Sequence, residues 1–310
     1  MKLFLRFCLI NFVLFFINSF ANAKTPEIIS SIKPIDSLVR MIVSDEEQDN
    51  LDLVVSGNQS PHGFSLKPSD VKKLSEAKII FYIDDSFEEF LPKILETSSN
   101  IIKIDLASNI DLRFFKSRIV ESWQKQPSVK GDKDIDYHVW MDTKNAKLML
   151  FTIKNELSKI YPQNAEIYET NYKSSVEKID ILFEQLRDQL KGLKNEKFMV
   201  FHDAFQYFEN QFNLNNVGYI SKNPHYNVSI KSLKQNMFKV KELQIKCVFS
   251  DFQFNQKFSN MVAKNAKSKV VALDEIGFNI KPSKDLYFQI MKNAANSFSE
   301  CLRSEAVKAN

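Results

Sequence analysis

The sequence predicts an α/β protein of two lobes, each a parallel-type sheet with flanking helices, joined by one long rigid helix. Three observations carry this expectation. Short β-rich apolar runs alternate with helical patterns through residues 24–160, the same alternation resumes through residues 193–310, and residues 161–192 between them hold one unbroken helical pattern. In that pattern Ala165, Tyr168, Tyr172, Val176, Ile179, Leu182, Phe183, Leu186 and Leu190 recur at steps of three and four, which keeps one stripe facing a core. Pro162 near its start and Gly192 just past its last apolar residue fit a helix beginning and end. At 1.5 Å per residue such a helix is roughly 40 Å long. That exceeds the width of a small lobe, so it reads as a bridge, with an ordinary long surface helix as the plainer alternative.

In the first lobe the expected strands are 27–32, 52–55, 78–83 and 101–105, several of them almost wholly apolar as in a sheet covered on both faces. Helices are expected at 35–43, 69–77, 87–96 and 142–160, giving parallel βα units. Residues 116–136 turn to Lys, Gln, Ser, Pro, Gly and Asp with little periodicity and read as a mobile loop. In the second lobe the expected strands are 198–201, 217–220, 245–249 and 270–273, with a closing helix over 285–303.

The chain of 310 residues opens with Met1, Lys2 and Arg6, then a Phe/Leu/Ile-rich run, then Ala21, Asn22 and Ala23. This is the pattern of a signal peptide over residues 1–23, cleaved after Ala23, and it predicts a periplasmic, exported protein. Cys8 lies too early in it for a lipidation cysteine. Without those residues Lys and Arg number 40 against 38 Asp and Glu, a balance that argues against a nucleic-acid partner. Two cysteines then remain, Cys247 and Cys301, and an exported chain with an even pair suggests a disulfide. Two buried free thiols are the alternative. A thiolate metal site lacks a second pair of cysteines to complete it.

Chemistry concentrates in four histidines. His202 ends the apolar run 198–201, the place where open α/β sheets bind ligands. His62 lies in a turn-rich connection after the strand at 52–55, and His138 lies just ahead of Asp142, a good helix cap. Asp274 ends the strand at 270–273 as His202 ends its own. Taken singly, each histidine is more simply an ordinary hydrogen-bonded residue. Three imidazoles with a carboxylate or water make a four-coordinate site suited to Zn²⁺, whereas Mn²⁺ favours more oxygen donors.

The runs Ser60-Pro61-His62-Gly63-Phe64-Ser65-Leu66-Lys67-Pro68-Ser69-Asp70, Asp136-Tyr137-His138-Val139-Trp140-Met141-Asp142 and Phe201-His202-Asp203-Ala204-Phe205-Gln206-Tyr207-Phe208 resemble the metal-binding cluster of ABC-transporter substrate-binding proteins, specifically its periplasmic zinc members (ZnuA-like). The resemblance spans essentially the whole chain after residue 23. It implies a metal in the cleft between the lobes, Zn²⁺ as transported ligand, and delivery to a membrane permease by a protein that is not an enzyme. It further implies His62, His138 and His202 as metal ligands, Asp274 or water as the fourth, and a bond between Cys247 and Cys301. Manganese and iron members tend to carry Glu where His202 stands. Pro61 stands where some zinc members have a coordinating Glu, Tyr137 replaces a common proline, and the segment 116–136 contains no His. Asp203 and Asp142 are candidate acceptors for imidazole N–H groups, Asp142 more simply a helix cap, and Trp140 and Phe205 read as cleft packing. His225 reads as a surface-loop residue.

The expectation is therefore a monomeric zinc receptor of an ABC importer. The alternatives are a manganese or iron receptor of the same fold, an exported zinc hydrolase with Asp203 or Asp274 as base, and an adhesin. A transporter ATPase is excluded because the chain has no GxxxxGK[ST] run and only six glycines.

Overall fold

The computed structural model describes residues 27–304 except 58, 99, 109–110, 119–134, 222–227 and 265. The expected signal peptide with Ala23, most of the segment 116–136, and His225 lie outside the described residues. Among the described residues no helix is long and apolar enough to cross a membrane.

The first sheet contains β1 (Ile28–Ser30), β2 (Leu51–Leu53), β3 (Ile79–Tyr82) and β4 (Ile102–Asp105), in the order β2-β1-β3-β4 and parallel throughout. Pairing continues past β2 through Val54 N–H to Ser30 and Val55 N–H to Ser31, so the apolar run to residue 55 is extended backbone. Helices α1 (Lys33–Ile42), α2 (Pro68–Glu76) and α3 (Pro92–Thr97) follow β1, β2 and β3. The third is shorter than the expected 87–96. Pro92 has no N–H to bond back to residue 88, and the Glu88 carboxylate takes the N–H groups of Ile83 and Asp84 instead, leaving turns before Pro92. A short antiparallel pair, β5 (Phe115–Lys116) with β6 (Ile135–Asp136), leads through a 3₁₀ turn at Val139–Met141 into α4 (Thr143–Ile160).

The bridging helix α5 is Ala165–Leu190, with Pro162–Asn164 as a preceding 3₁₀ turn, and spans about 39 Å. Tyr168, Ile179, Leu182, Leu186 and Leu190 of the expected stripe are buried, and Gly192 ends the element in the left-handed conformation, at φ +88°. It packs on α4 and α1 and on the last helix. Near its start Asn171 Nδ2 donates to the carbonyls of Ile42 and Val43, and Ser175 Oγ to that of Met41, which completes the carbonyl end of α1. Near its far end Gln189 bonds Asn296, and Arg303 donates to the carbonyls of Gln189 and Lys191.

The second sheet contains β7 (Lys197–His202), β8 (Asn215–Ser221), β9 (Cys247–Asp251) and β10 (Lys269–Leu273), in the order β10-β9-β7-β8, also parallel. Helices α6 (Gln206–Gln211), α7 (Ile230–Glu242) and α8 (Lys257–Lys264) connect them, and α9 (Leu286–Leu302) closes the chain. Phe198, Phe208 and Phe249 gather around Phe298 of α9, which absorbs part of the unusually large phenylalanine content. Phe205 joins the same cluster and so packs the second lobe's core, not the cleft. Cys247 and Cys301 form a disulfide with Cα atoms 6.1 Å apart, tying β9 to α9. The two lobes also meet directly. The buried Lys33 amine at the start of α1 donates to the carbonyls of Gly277, Phe278 and Ile280 beyond β10.

Candidate metal centre

His62 sits between β2 and α2, with its N–H bonded to Ser60 Oγ at 3.2 Å and the left-handed Gly63 after it, so the chain turns sharply at the ring. That ring meets Phe87 in a T-shaped contact, with centroids 5.0 Å apart. His138 follows β6, and Asp136 Oδ1 accepts both its backbone N–H at 3.0 Å and its Nδ1–H at 2.7 Å. One carboxylate thereby fixes main chain and ring together and leaves the other nitrogen available. His202 is the last residue of β7, at the carboxyl edge of a parallel sheet.

These three side chains, two from the first lobe and one from the second, converge. Ring centroids are 5.6 Å apart for His62 and His138, 5.3 Å for His62 and His202, and 5.0 Å for His138 and His202. One nitrogen from each lies within 4.8 Å of the others. Nitrogens on a tetrahedral Zn²⁺ are about 3.3 Å apart, given Zn–N bonds of roughly 2.0–2.1 Å. The donor set is thus gathered to within reach of a single ion. His138 and His202 are buried and His62 is partly exposed at the mouth of a cavity of about 150 Å³, lined also by Phe87, Arg118, Asp136 and Asp203.

Asp274 does not join the imidazoles. Its carboxylate accepts the N–H groups of Ile276, Gly277 and Phe278, at 2.8–3.3 Å, and so shapes the loop whose carbonyls hold Lys33. Asp203 does not orient an imidazole either. It forms a two-pronged ion pair with Arg118, whose third nitrogen meets Glu209 at 2.7 Å, all largely buried. Asp142 caps α4 through Lys144 N–H and pairs with Arg113. Trp140 is buried at the cleft as expected, but it also has a polar bond: its indole N–H donates to the Glu275 carbonyl at 2.7 Å.

The carboxylates near His202 are others. Asp251 Oδ2 lies 3.6 Å and Glu275 Oε1 3.9 Å from its Nδ1. Burial, with Asp251 and Asp274 nearby, pushes the Glu275 carboxyl well above its ordinary range. Asp251 had a signal in the sequence: it ends β9 as His202 ends β7, and the two strands are neighbours. Asp136, two residues before His138, had one in the Asx-type bond that an aspartate makes to the N–H two residues on. Arg118 and Glu275 had none: Arg118 finds Asp203 and Glu209 only when the lobes meet, and Glu275 is brought beside His202 only by the pairing order of the second sheet.

Residues 28–301 match the family described as zinc-uptake complex component A, periplasmic (ZnuA). The chain belongs to this family. It is 31% identical to the high-affinity zinc uptake system protein ZnuA of Brucella abortus (strain 2308), over 89% of this chain and 91% of that protein. A crystal structure of ZnuA superposes with a TM-score of 0.75 at 26% identity, covering 89% of this chain and 98% of the other. A manganese-bound periplasmic metal-binding protein from candidatus liberibacter asiaticus has the same fold, with a TM-score of 0.72 at 18% identity over 89% and 98% of the two chains. The chain is thus a ZnuA-type metal-binding receptor for zinc uptake and not an enzyme.

Proposed function

We propose that this ZnuA-family chain is exported to the periplasm after cleavage behind Ala23, captures Zn²⁺ between a lobe of residues 24–160 and one of 193–310, and delivers it as a monomer to an ABC-transporter permease. His62, His138 and His202 hold the ion, and water supplies the fourth donor in place of Asp274. The observation that carries this is the convergence of three imidazoles from both lobes within 4.8 Å. Three nitrogen donors and one open position suit a borderline-soft ion with no geometric demand of its own.

The ZnuA-type receptor works by reversible coordination. Asp136 keeps the His138 ring presented, so the ion meets a half-built site on the first lobe and is completed by His202 from the second. The cavity of about 150 Å³ admits an ion with a few waters. It is smaller than the roughly 300–1,000 Å³ of pockets that take organic substrates, which weighs against the hydrolase. Release follows when the permease favours a geometry in which His202 is withdrawn.

Asp251 and Glu275 beside His202 give the manganese reading its support, because they add oxygen donors. Calorimetry on metal-free protein separates the two. Zn²⁺ is expected to displace Mn²⁺, to bind more weakly at pH 5.0 than at 7.5 because protons compete for imidazole, and to lose its site in the His62/His138/His202 triple alanine variant. Uptake unchanged at pH 5.0 contradicts imidazole coordination.

A further inference from the structure

The two buried histidines are supported unequally. Nδ1 of His138 has its acceptor at 2.7 Å, whereas Nδ1 of His202 is buried without a hydrogen-bond partner among the described residues, with two buried carboxylates just beyond bonding distance. Gln253 ties that pair together. Its backbone N–H bonds Asp251 Oδ1 at 2.7 Å and its side-chain amide bonds Glu275 Oε1. Glu275 Oε2 has no hydrogen-bond partner among the described residues. The backbone of the same residue faces the other lobe, because the Glu275 carbonyl accepts the indole N–H of Trp140, two residues after His138.

We infer that Asp251 and Glu275 orient His202 by accepting its Nδ1–H, and that the Trp140 bond to Glu275 couples this support to contact between the lobes. The inference rests on the reading of His202 as a metal ligand and adds how that ligand is made ready. An imidazole binds metal through one nitrogen while the other keeps its proton, and the acceptor beside the second nitrogen decides which tautomer is present. A carboxylate pair beside Nδ1 holds the proton there and leaves the Nε2 lone pair for the ion. His138 receives this support from its own lobe at all times. His202 receives it from a pair on its own lobe that Gln253 ties together, and Glu275 alone of that pair is also bonded across to the first lobe, so when the lobes part Glu275 loses the Trp140 bond and the support of His202 loosens at the moment the ion is to leave. Trp140 and Glu275 are thus positioning residues.

Nitrogen-15 spectra of metal-free, full-length protein at pH 8 test this directly. The His202 ring is expected as the Nδ1–H tautomer, and an Nε2–H ring in the unmodified protein overturns the proposal without any variant having to fold. The Asp251→Asn/Glu275→Gln variant is expected to move the ring toward Nε2–H and to lower zinc affinity about 10- to 100-fold. Trp140→Phe keeps the ring and removes the N–H, with an expected loss of about 2- to 10-fold. That loss is expected to shrink when Glu275→Gln is already present, and full multiplicativity of the two overturns the coupling. Binding of a second zinc equivalent that the carboxylate variant loses also overturns the proposal, since it makes the pair a metal site. If His202→Ala binds zinc as the unmodified protein does, the ligand reading fails instead, and the tautomer measurement, made without metal, still stands apart from it.

Discussion

The two lobes share one architecture, a four-stranded parallel sheet with covering helices, yet they build their halves of the metal site in different ways. The first lobe holds His138 with a carboxylate from the same chain turn, at 2.7 Å, and seats His62 against Phe87, so its half is complete by itself. The second lobe offers His202 from the end of β7 but, among the described residues, leaves its Nδ1 without a bonded partner. Rigid main chain and firmly held side chain are therefore separate properties, and a receptor that must also let go has use for the difference.

The largest change is expected where the lobes are joined by charge. Arg118, next to β5 of the first lobe, is paired with Asp203 and Glu209 of the second, and all three side chains are largely buried. Arg118→Ala strands two carboxylates, with an expected loss of about 3–5 kcal/mol in denaturant unfolding. A loss below about 1 kcal/mol would show that water reaches the pair freely. The second lobe has a covalent staple, and replacing both Cys247 and Cys301 by Ala is expected to cost about 2–4 kcal/mol. If each lobe unfolds as its own unit, calorimetry then shows only the transition of the second moving down.

On the first lobe Asp136→Asn sharpens the contrast between the histidines. Zinc affinity is expected to fall about 10- to 100-fold with the fold intact, read by competition with a chelating dye. No change would mean that the short backbone turn alone positions His138. The last change concerns Glu88, a carboxyl wholly buried in the first lobe, with Ser31 Oγ, Ile83 N–H and Asp84 N–H as donors, whose effect is read only across a pH range. Burial outweighs those donors and pushes it from 4.5 up to about 8. The folded protein therefore holds a proton that the unfolded chain releases. This contribution is fully present below pH 4.5 and is lost as pH rises through about 8. Stability from urea melts is expected to fall between about pH 5 and 8, with a shallower slope in Glu88→Gln.

Much of this was legible in the sequence because it depends on local pattern. Apolar runs gave all eight strands of the two main sheets, with ends shifted by a few residues at most, and the three-and-four stripe from Tyr168 to Leu190 gave α5. His138 and His202 were visible because each stands at or just past the end of a strand, and His62 because it lies in a turn-rich connection. The surroundings of Asp274 were not legible, for a physical reason. A strand end says where the main chain stops but not what captures the side chain, and here the next turn offers three N–H groups to the carboxylate. Asp203, adjacent to His202, was drawn off in the same manner by Arg118, 85 residues distant. Pairings of that range have no periodicity from which to read them.

The Lys33 amine reaches from the first lobe to three carbonyls of the second, on a loop that Asp274 shapes. A cation seated among fixed dipoles behaves as a ball in a socket: it tolerates tilting about itself and resists being drawn straight out. The Lys33 contact therefore resists separation of the two halves more than it resists tilting about that point.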